Sequence, residues 1–203
     1  MRNEEKIKSH YYPRLEKYSN TYEILDWESA AAQNARFEVL IRHINLDGKS
    51  ILDAGCGCGD LFTMLKEKGI NVTYTGVDIL PAMIEKAQSL HGGGQFICGD
   101  LFGEEPVCTN KFDVVFTSGI FNLNLGNNAS FFDTALPVLD RLAEDALVIN
   151  LLDEGSPDRD DNYFYFNPDE AKEKMESIGR KVTLIKDYLS NDFTLIGKKH
   201  IIK

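Results

Sequence analysis

Over the first fifty residues the apolar positions recur at helical spacing. Within residues 23–45, Ala30, Phe37, Leu40, Ile41 and Ile44 fall on one stripe, which predicts an amphipathic helix. From residue 50 the pattern changes. Short apolar runs alternate with helical stretches: SILDA (50–54) precedes DLFTMLKEKG (60–69), and VTYTGVDI (72–79) precedes PAMIEKAQSLH (81–91). Then come QFICGD (95–100), FDVVFTSGI (112–120), a helical pattern over 129–142, and ALVINLL (146–152). The strand runs are continuous rather than alternating, as in strands buried on both faces, and parallel strands need crossovers of this kind. Pro81 suits a first helical turn and Gly69 a helix end.

The carboxyl end reads differently. In NPDEAKEKMESIG (167–179), Asn167 caps a helix, Pro168 takes its first position, Glu170 completes a capping box and Gly179 ends it. The following RKVTLIKDYLSNDFTLIGKK (180–199) holds two strands joined at SND, with no room for a crossover helix, so they pair antiparallel. The whole pattern predicts a doubly wound, Rossmann-like α/β fold with a seven-stranded sheet, mostly parallel and finished by an antiparallel hairpin. A single domain over 1–203 is expected, with 1–47 as a helical lid and 48–203 as the α/β core.

Composition narrows the classes. The 203 residues are 43% hydrophobic and 27% charged, typical of a globular protein, and no apolar run approaches the roughly 20 residues of a membrane span. The amino terminus lacks the apolar segment of a secretory signal, so a cytoplasmic, soluble protein is expected. A net charge of −10 argues against nucleic acid as a partner. Cys56, Cys58, Cys98 and Cys108 follow no disulfide framework and suit a reducing compartment.

The chemistry concentrates in LDAGCGCGD (52–60), at the turn from the first strand into the first core helix. Ligands of open α/β sheets bind there. A dinucleotide fingerprint would place its third glycine at position 60, which is Asp60, and no Lys follows to make a phosphate loop. Cys56 and Cys58 stand too close for a zinc or redox pair and have no second pair, so no metal is expected. Carboxylates recur after the first three strands at Asp53, Asp78 and Asp100. Singly each is an ordinary loop former. Together they suit a nucleoside with a cationic tail and no phosphate: Asp78 for ribose hydroxyls, Asp100 for an adenine amino group, Ile79 or Leu101 for the ring faces.

ILDAGCGCGD, TGVDIL, ICGDLF and FDVVFTSGIFN, in this order, resemble the successive motifs of class I S-adenosylmethionine-dependent methyltransferases. The resemblance runs from residue 50 to about 200 and includes the terminal hairpin. It implies S-adenosylmethionine as cofactor, with Asp53 and the Gly55, Gly57 and Gly59 loop at its methionine portion, Asp78 at the ribose, and Ile79, Asp100 and Leu101 at the adenine. Ala54, Cys56, Met83 and Ser118, with Gln33 and Arg36 of the preceding helix, complete the expected cofactor set.

Methyl transfer is an in-line displacement that alignment alone can accelerate, so no catalytic side chain is required. Ser118, Phe121, Asn122 and Asn124 follow the fourth strand and face the expected methyl position, although both asparagines equally suit a turn. Tyr163 and Tyr165 can wall a pocket or merely pack. Tyr11, Tyr12, Tyr18, Tyr22 and Trp27 are dense for a solvated arm and mark a lid, with Tyr11 and Tyr18 as acceptor contacts. Gln33 and Arg36 share a helical face; by the resemblance Arg36 reaches the cofactor carboxylate, the competing reading being a surface salt bridge. His10 and His43 show no partner at ligand or triad spacing and read as surface residues. The expected function is methyl transfer to a small-molecule acceptor. The rivals are an NAD-dependent oxidoreductase and a non-catalytic nucleoside- or partner-binding protein.

Overall fold

Seven strands form one sheet in the order β3-β2-β1-β4-β5-β7-β6, and a computed structural model describes residues 4–199 of the chain. The strands are β1 (Lys49–Ala54), β2 (Val72–Asp78), β3 (Gln95–Cys98), β4 (Phe112–Ser118), β5 (Ala143–Leu152), β6 (Arg180–Ile185) and β7 (Asp192–Lys199). The first five pair in parallel, and β7 runs antiparallel between β5 and β6. The doubly wound sheet with its terminal hairpin is therefore as expected. The hairpin connection is longer than SND alone: it spans 186–191, with Asp187 in the left-handed region at φ 70°.

Helices cover both faces. On one lie α3 (Ala30–His43), α4 (Asp60–Glu67) and α5 (Pro81–Leu90); on the other lie α6 (Asn128–Leu142) and α7 (Pro168–Ser177). Period-two alternation along β1 sends Ile51 to the first layer and Leu52 to the second. Each layer is closed by its helices' apolar stripe: Phe37, Leu40, Leu61 and Leu65 on one side, Phe132, Leu136, Leu139 and Met175 on the other. Asn167 caps α7 as expected, its Oδ1 accepting from the backbone of Asp169 and Glu170 at 3.0 Å each.

The amino-terminal segment departs from the sequence pattern. Instead of one helix over 23–45 there are α1 (Glu4–Lys17), the single turn α2 (Thr21–Ile24), a break, and α3. Asp26 makes the break with a left-handed φ of 61°, and Ser29 then caps α3 by accepting from Ala32 N at 3.1 Å. A third apolar cluster joins Ile7 and Ile24 of this segment to Leu80, Met83, Leu123 and Leu125 beside the carboxyl ends of the strands. No helix among the described residues is long and apolar enough to cross a membrane.

Candidate functional site

The loop after β1 is built from left-handed glycines: Gly55, Gly57 and Gly59 have φ of 80°, 53° and 83°. Space is as restrictive as conformation. A Cβ on Gly55 would meet Ile120 Cγ2 at 2.1 Å, and one on Gly57 would meet Leu25 Cδ2 at 2.6 Å. The loop is tied to the end of β2, since Gly55 N and Cys56 N donate to Val77 O at 2.8 and 3.0 Å. Asp78 completes the tie: its two carboxylate oxygens accept from Gly57 N at 3.0 Å and Leu80 N at 2.9 Å.

Asp53 shares the α3–α5 face of β1 with Ile51, and there it meets Tyr74 from β2, whose hydroxyl donates to it at 2.6 Å. Burial pushes the Asp53 carboxyl up from its ordinary value to about 7; the Tyr74 bond opposes this, and the charges of Asp78 and Asp60 add to it. Asp60 opens α4 and accepts from Gln33 Nε2 at 3.1 Å and from the Thr21 hydroxyl, so the residue standing where a third glycine was due braces the amino-terminal segment. Burial also raises both loop thiols, Cys58 to about 12, which keeps them protonated and poor as nucleophiles or metal ligands.

These groups open on a cleft at the carboxyl ends of β1, β2 and β4. Of the residues expected from sequence, Asp53, Gly55, Cys56, Gly57, Asp78, Ile79, Met83, Leu101, Ser118, Gln33 and Tyr11 line it. Ala54 and Gly59 are not part of the lining: Ala54 faces the opposite layer, and Gly59 backs onto His91 and Phe96. Asp100 also stays out, its carboxylate accepting from Phe102 N at 2.8 Å while Gly99 and Leu101 reach the cleft.

Other expectations are corrected. Arg36 neither reaches the cleft nor makes a surface pair. It is buried and holds Asp192 of β7 through two bonds of 2.7 and 2.6 Å, its third nitrogen donating to Ala32 O. A buried guanidinium needs a charged partner, and Asp192, also bonded by Asn150 Nδ2 at 2.9 Å, supplies it. Phe121, expected at the acceptor, is fully buried among Phe131 and Phe132. Asn124 makes turn contacts with Gly126 N and Asp161 O, and Asn122 sits buried in the same turn beside Phe164. Tyr165 receives Asp160 N on its hydroxyl under Arg159, and Tyr18 packs beneath Arg14 and Lys17. Tyr163 donates its hydroxyl to Asp26. His10, expected at the surface, is half-buried: its Nε2 lies 3.0 Å from Asp26, which also pairs with Arg14. His43 is exposed and bonds Val39 O within its own helix.

Several lining residues were not singled out from sequence, among them Ile7, Leu25, Phe102, Ile120, Leu123 and Leu125. Their only sequence signal is apolar character in loops or lid, where burial in a core would read the same. Trp27 stood out as one lid aromatic among five; its ring lines the cleft, with Gly119 against its edge.

The glycine turn, the carboxylate closing β2 and the β5-β7-β6 hairpin together define a class I methyltransferase site. The residues fit the cofactor of that class on chemical grounds: among the described residues lining the cleft, the only carboxyl groups are Asp53 and Asp78 and no side chain is basic, which suits a cation and ribose hydroxyls and disfavours a pyrophosphate. Residues 51–141 match the methyltransferase-domain family. The chain is 30% identical over 167 residues to a Mycobacterium tuberculosis protein that bears the name methyltransferase, covering 75% of this chain and 95% of that one. It belongs to the S-adenosylmethionine-dependent methyltransferases. It is also 34% identical over 97 residues to the malonyl-[acyl-carrier protein] O-methyltransferase of Acetivibrio thermocellus, spanning 45% of this chain but only 34% of that longer protein. In fold it resembles the magnesium protoporphyrin IX methyltransferase of Synechocystis PCC 6803, solved with bound S-adenosylhomocysteine, at a TM-score of 0.68, 15% identity, and coverage of 98% and 100%.

Proposed function

We propose that the protein transfers a methyl group from S-adenosylmethionine to a small-molecule acceptor held between the glycine loop and the lid. The observation that carries this reading is the cleft itself. Two carboxyl groups at the ends of β1 and β2, with no basic side chain, stand among the described lining residues, and α1 with the α2–α3 break roofs it with Ile7, Tyr11, Leu25 and Trp27. The cofactor, when bound, supplies the electrophilic methyl group on a sulfonium. Asp78 takes the ribose hydroxyls, Asp53 faces the cationic tail, and Ile79, Met83 and Leu101 form apolar walls for the base. Ser118 and the turn at Gly119 then stand where the acceptor approaches. Rate enhancement comes from alignment and exclusion of water, for which effective molarities of about 10⁵ M or more are available. One name among the relatives specifies a malonyl group on an acyl carrier protein, a carboxylate-bearing acceptor, but the chain spans only 34% of that protein, and the name does not fix the acceptor here. An NAD-dependent dehydrogenase is disfavoured by Asp60 in place of the third glycine and by the terminal hairpin.

Calorimetric titration with S-adenosylmethionine, S-adenosylhomocysteine and NAD tests the assignment. The first two are expected to bind and NAD not. Asp78→Ala is expected to weaken both by tenfold or more, about 1.4 kcal/mol. Binding of NAD alone, or of none of the three, would overturn it.

A further inference from the structure

The lid and the β4 loop have a chemical character that the cofactor does not require. Ile7, Tyr11, Leu25, Trp27, Ile120 and Leu123 give this part of the lining without a charged group. No Lys, Arg or His is among the described residues that line the cleft. The described arginines of the amino-terminal segment are committed elsewhere, Arg42 to Glu38 on the surface of α3. Arg14 pairs with Asp26 and donates to the carbonyls of Glu23 and Ile24, and Arg36 is locked to Asp192.

From this lining we infer that the acceptor is an uncharged, flat and largely apolar molecule bound against Trp27. The inference rests on the methyltransferase reading above and deepens it. An acceptor carrying a carboxylate or phosphate would lose its water in this cleft and find two carboxylates and no side-chain cation. Asp53 faces the cofactor's cationic tail and Asp78 its ribose, so neither residue offers an anionic acceptor a partner. Shape points the same way. The Trp27 ring is fixed before any ligand arrives, with the Arg36 guanidinium 4.2 Å from its centre and Gly119 against its edge. At Gly119, φ is 102° and an added Cβ would lie 3.3 Å from the ring, so backbone and indole are in close contact. A preset indole wall, with Tyr11 also in the lining, favours an aromatic ring over a flexible chain, because stacking on it orders few rotors.

The test uses a matched pair, 2-naphthol and 2-naphthoate, which differ mainly in charge at neutral pH. Trp27 is the only tryptophan of the chain, so 5-fluorotryptophan labelling gives one ¹⁹F resonance at the proposed wall. Each probe is titrated into the S-adenosylhomocysteine-saturated protein, with affinity read by calorimetry and site by the ¹⁹F shift. The naphthol is expected to bind at least tenfold more tightly than the naphthoate and to move the resonance. Tyr11→Arg, which places a cation in the lining, is expected to shrink or reverse that preference. Equal or tighter naphthoate binding, binding that leaves the resonance unmoved, or no binding of either probe would overturn the inference. Failure of S-adenosylhomocysteine to bind in the preceding step would instead overturn the methyltransferase reading, so the two failures are distinguishable.

Discussion

Asp53 carries a pH dependence that its position alone did not announce. Burial raises its carboxyl from 3.8 to about 7. Between those values the unfolded chain ionises here and the folded chain does not, so stability of the ligand-free protein falls as pH rises through that window. The loss from this group reaches roughly 4 kcal/mol and levels off above pH 7. Thermal melts of wild type and Asp53→Asn at pH 5 and pH 7.5 isolate it: the variant is expected to gain relative stability at the higher pH. An unchanged difference between the two pH values would show that Asp53 is not the group responsible. A cationic ligand reverses the penalty by favouring the ionised form, so affinity for S-adenosylmethionine is expected to rise through pH 7. The sequence put Asp53 in the site because a carboxylate before three glycines is readable locally. Its Tyr74 partner was not readable, since the contact depends on how β1 and β2 lie side by side, with Asp53 opposite Gly76.

At the scale of elements, the lid segment is where local pattern and structure part. Residues 23–45 keep a helical period, yet Asp26 turns left-handed. Ser29 was available as a cap in the sequence, but the contacts that hold the break come from α1 and from Tyr163, far along the chain. Arg36 was misplaced for the same reason. Its partner is 156 residues away, in a stretch whose Asn and Asp read as turn formers. That clamp joins α3 to β7 with both side chains almost wholly buried. Asp192→Ala would strand the guanidinium in the interior, with an expected loss of about 3–5 kcal/mol in urea unfolding. Arg36→Met combined with Asp192→Leu removes both charges and should lose markedly less. If the double variant is as unstable as the single one, the cost is in packing rather than in an uncompensated charge.

For the molecule as a whole, the sheet was legible because each strand run is bounded by its own turn signals and the last two leave no space for a crossover. How the amino-terminal segment seats on that sheet was not, because the polar contacts that fasten it join residues far apart in the chain, and one node holds α1. Asp26 gathers His10 and Arg14 from α1 and Tyr163 from the loop after β5, binding the lid to the core beside the cleft. Burial alone would raise the Asp26 carboxyl, but the bonds from His10 and Tyr163 and the charge of Arg14 outweigh it and hold it below 3.8. With the folded value depressed, the node's contribution is complete above the unfolded value and is lost only as pH falls through the folded one. The lid is thus fastened across the neutral range. Asp26→Ala at pH 7 is expected to speed amide exchange in α1 by tenfold or more, leave the β1, β4 and β5 amides unchanged, and weaken S-adenosylhomocysteine binding. Local opening of this kind exposes Ile7 and Tyr11 without unfolding the sheet. Exchange in α1 that stays at the wild-type rate would mean that the apolar contacts of Ile7 hold α1 without this node.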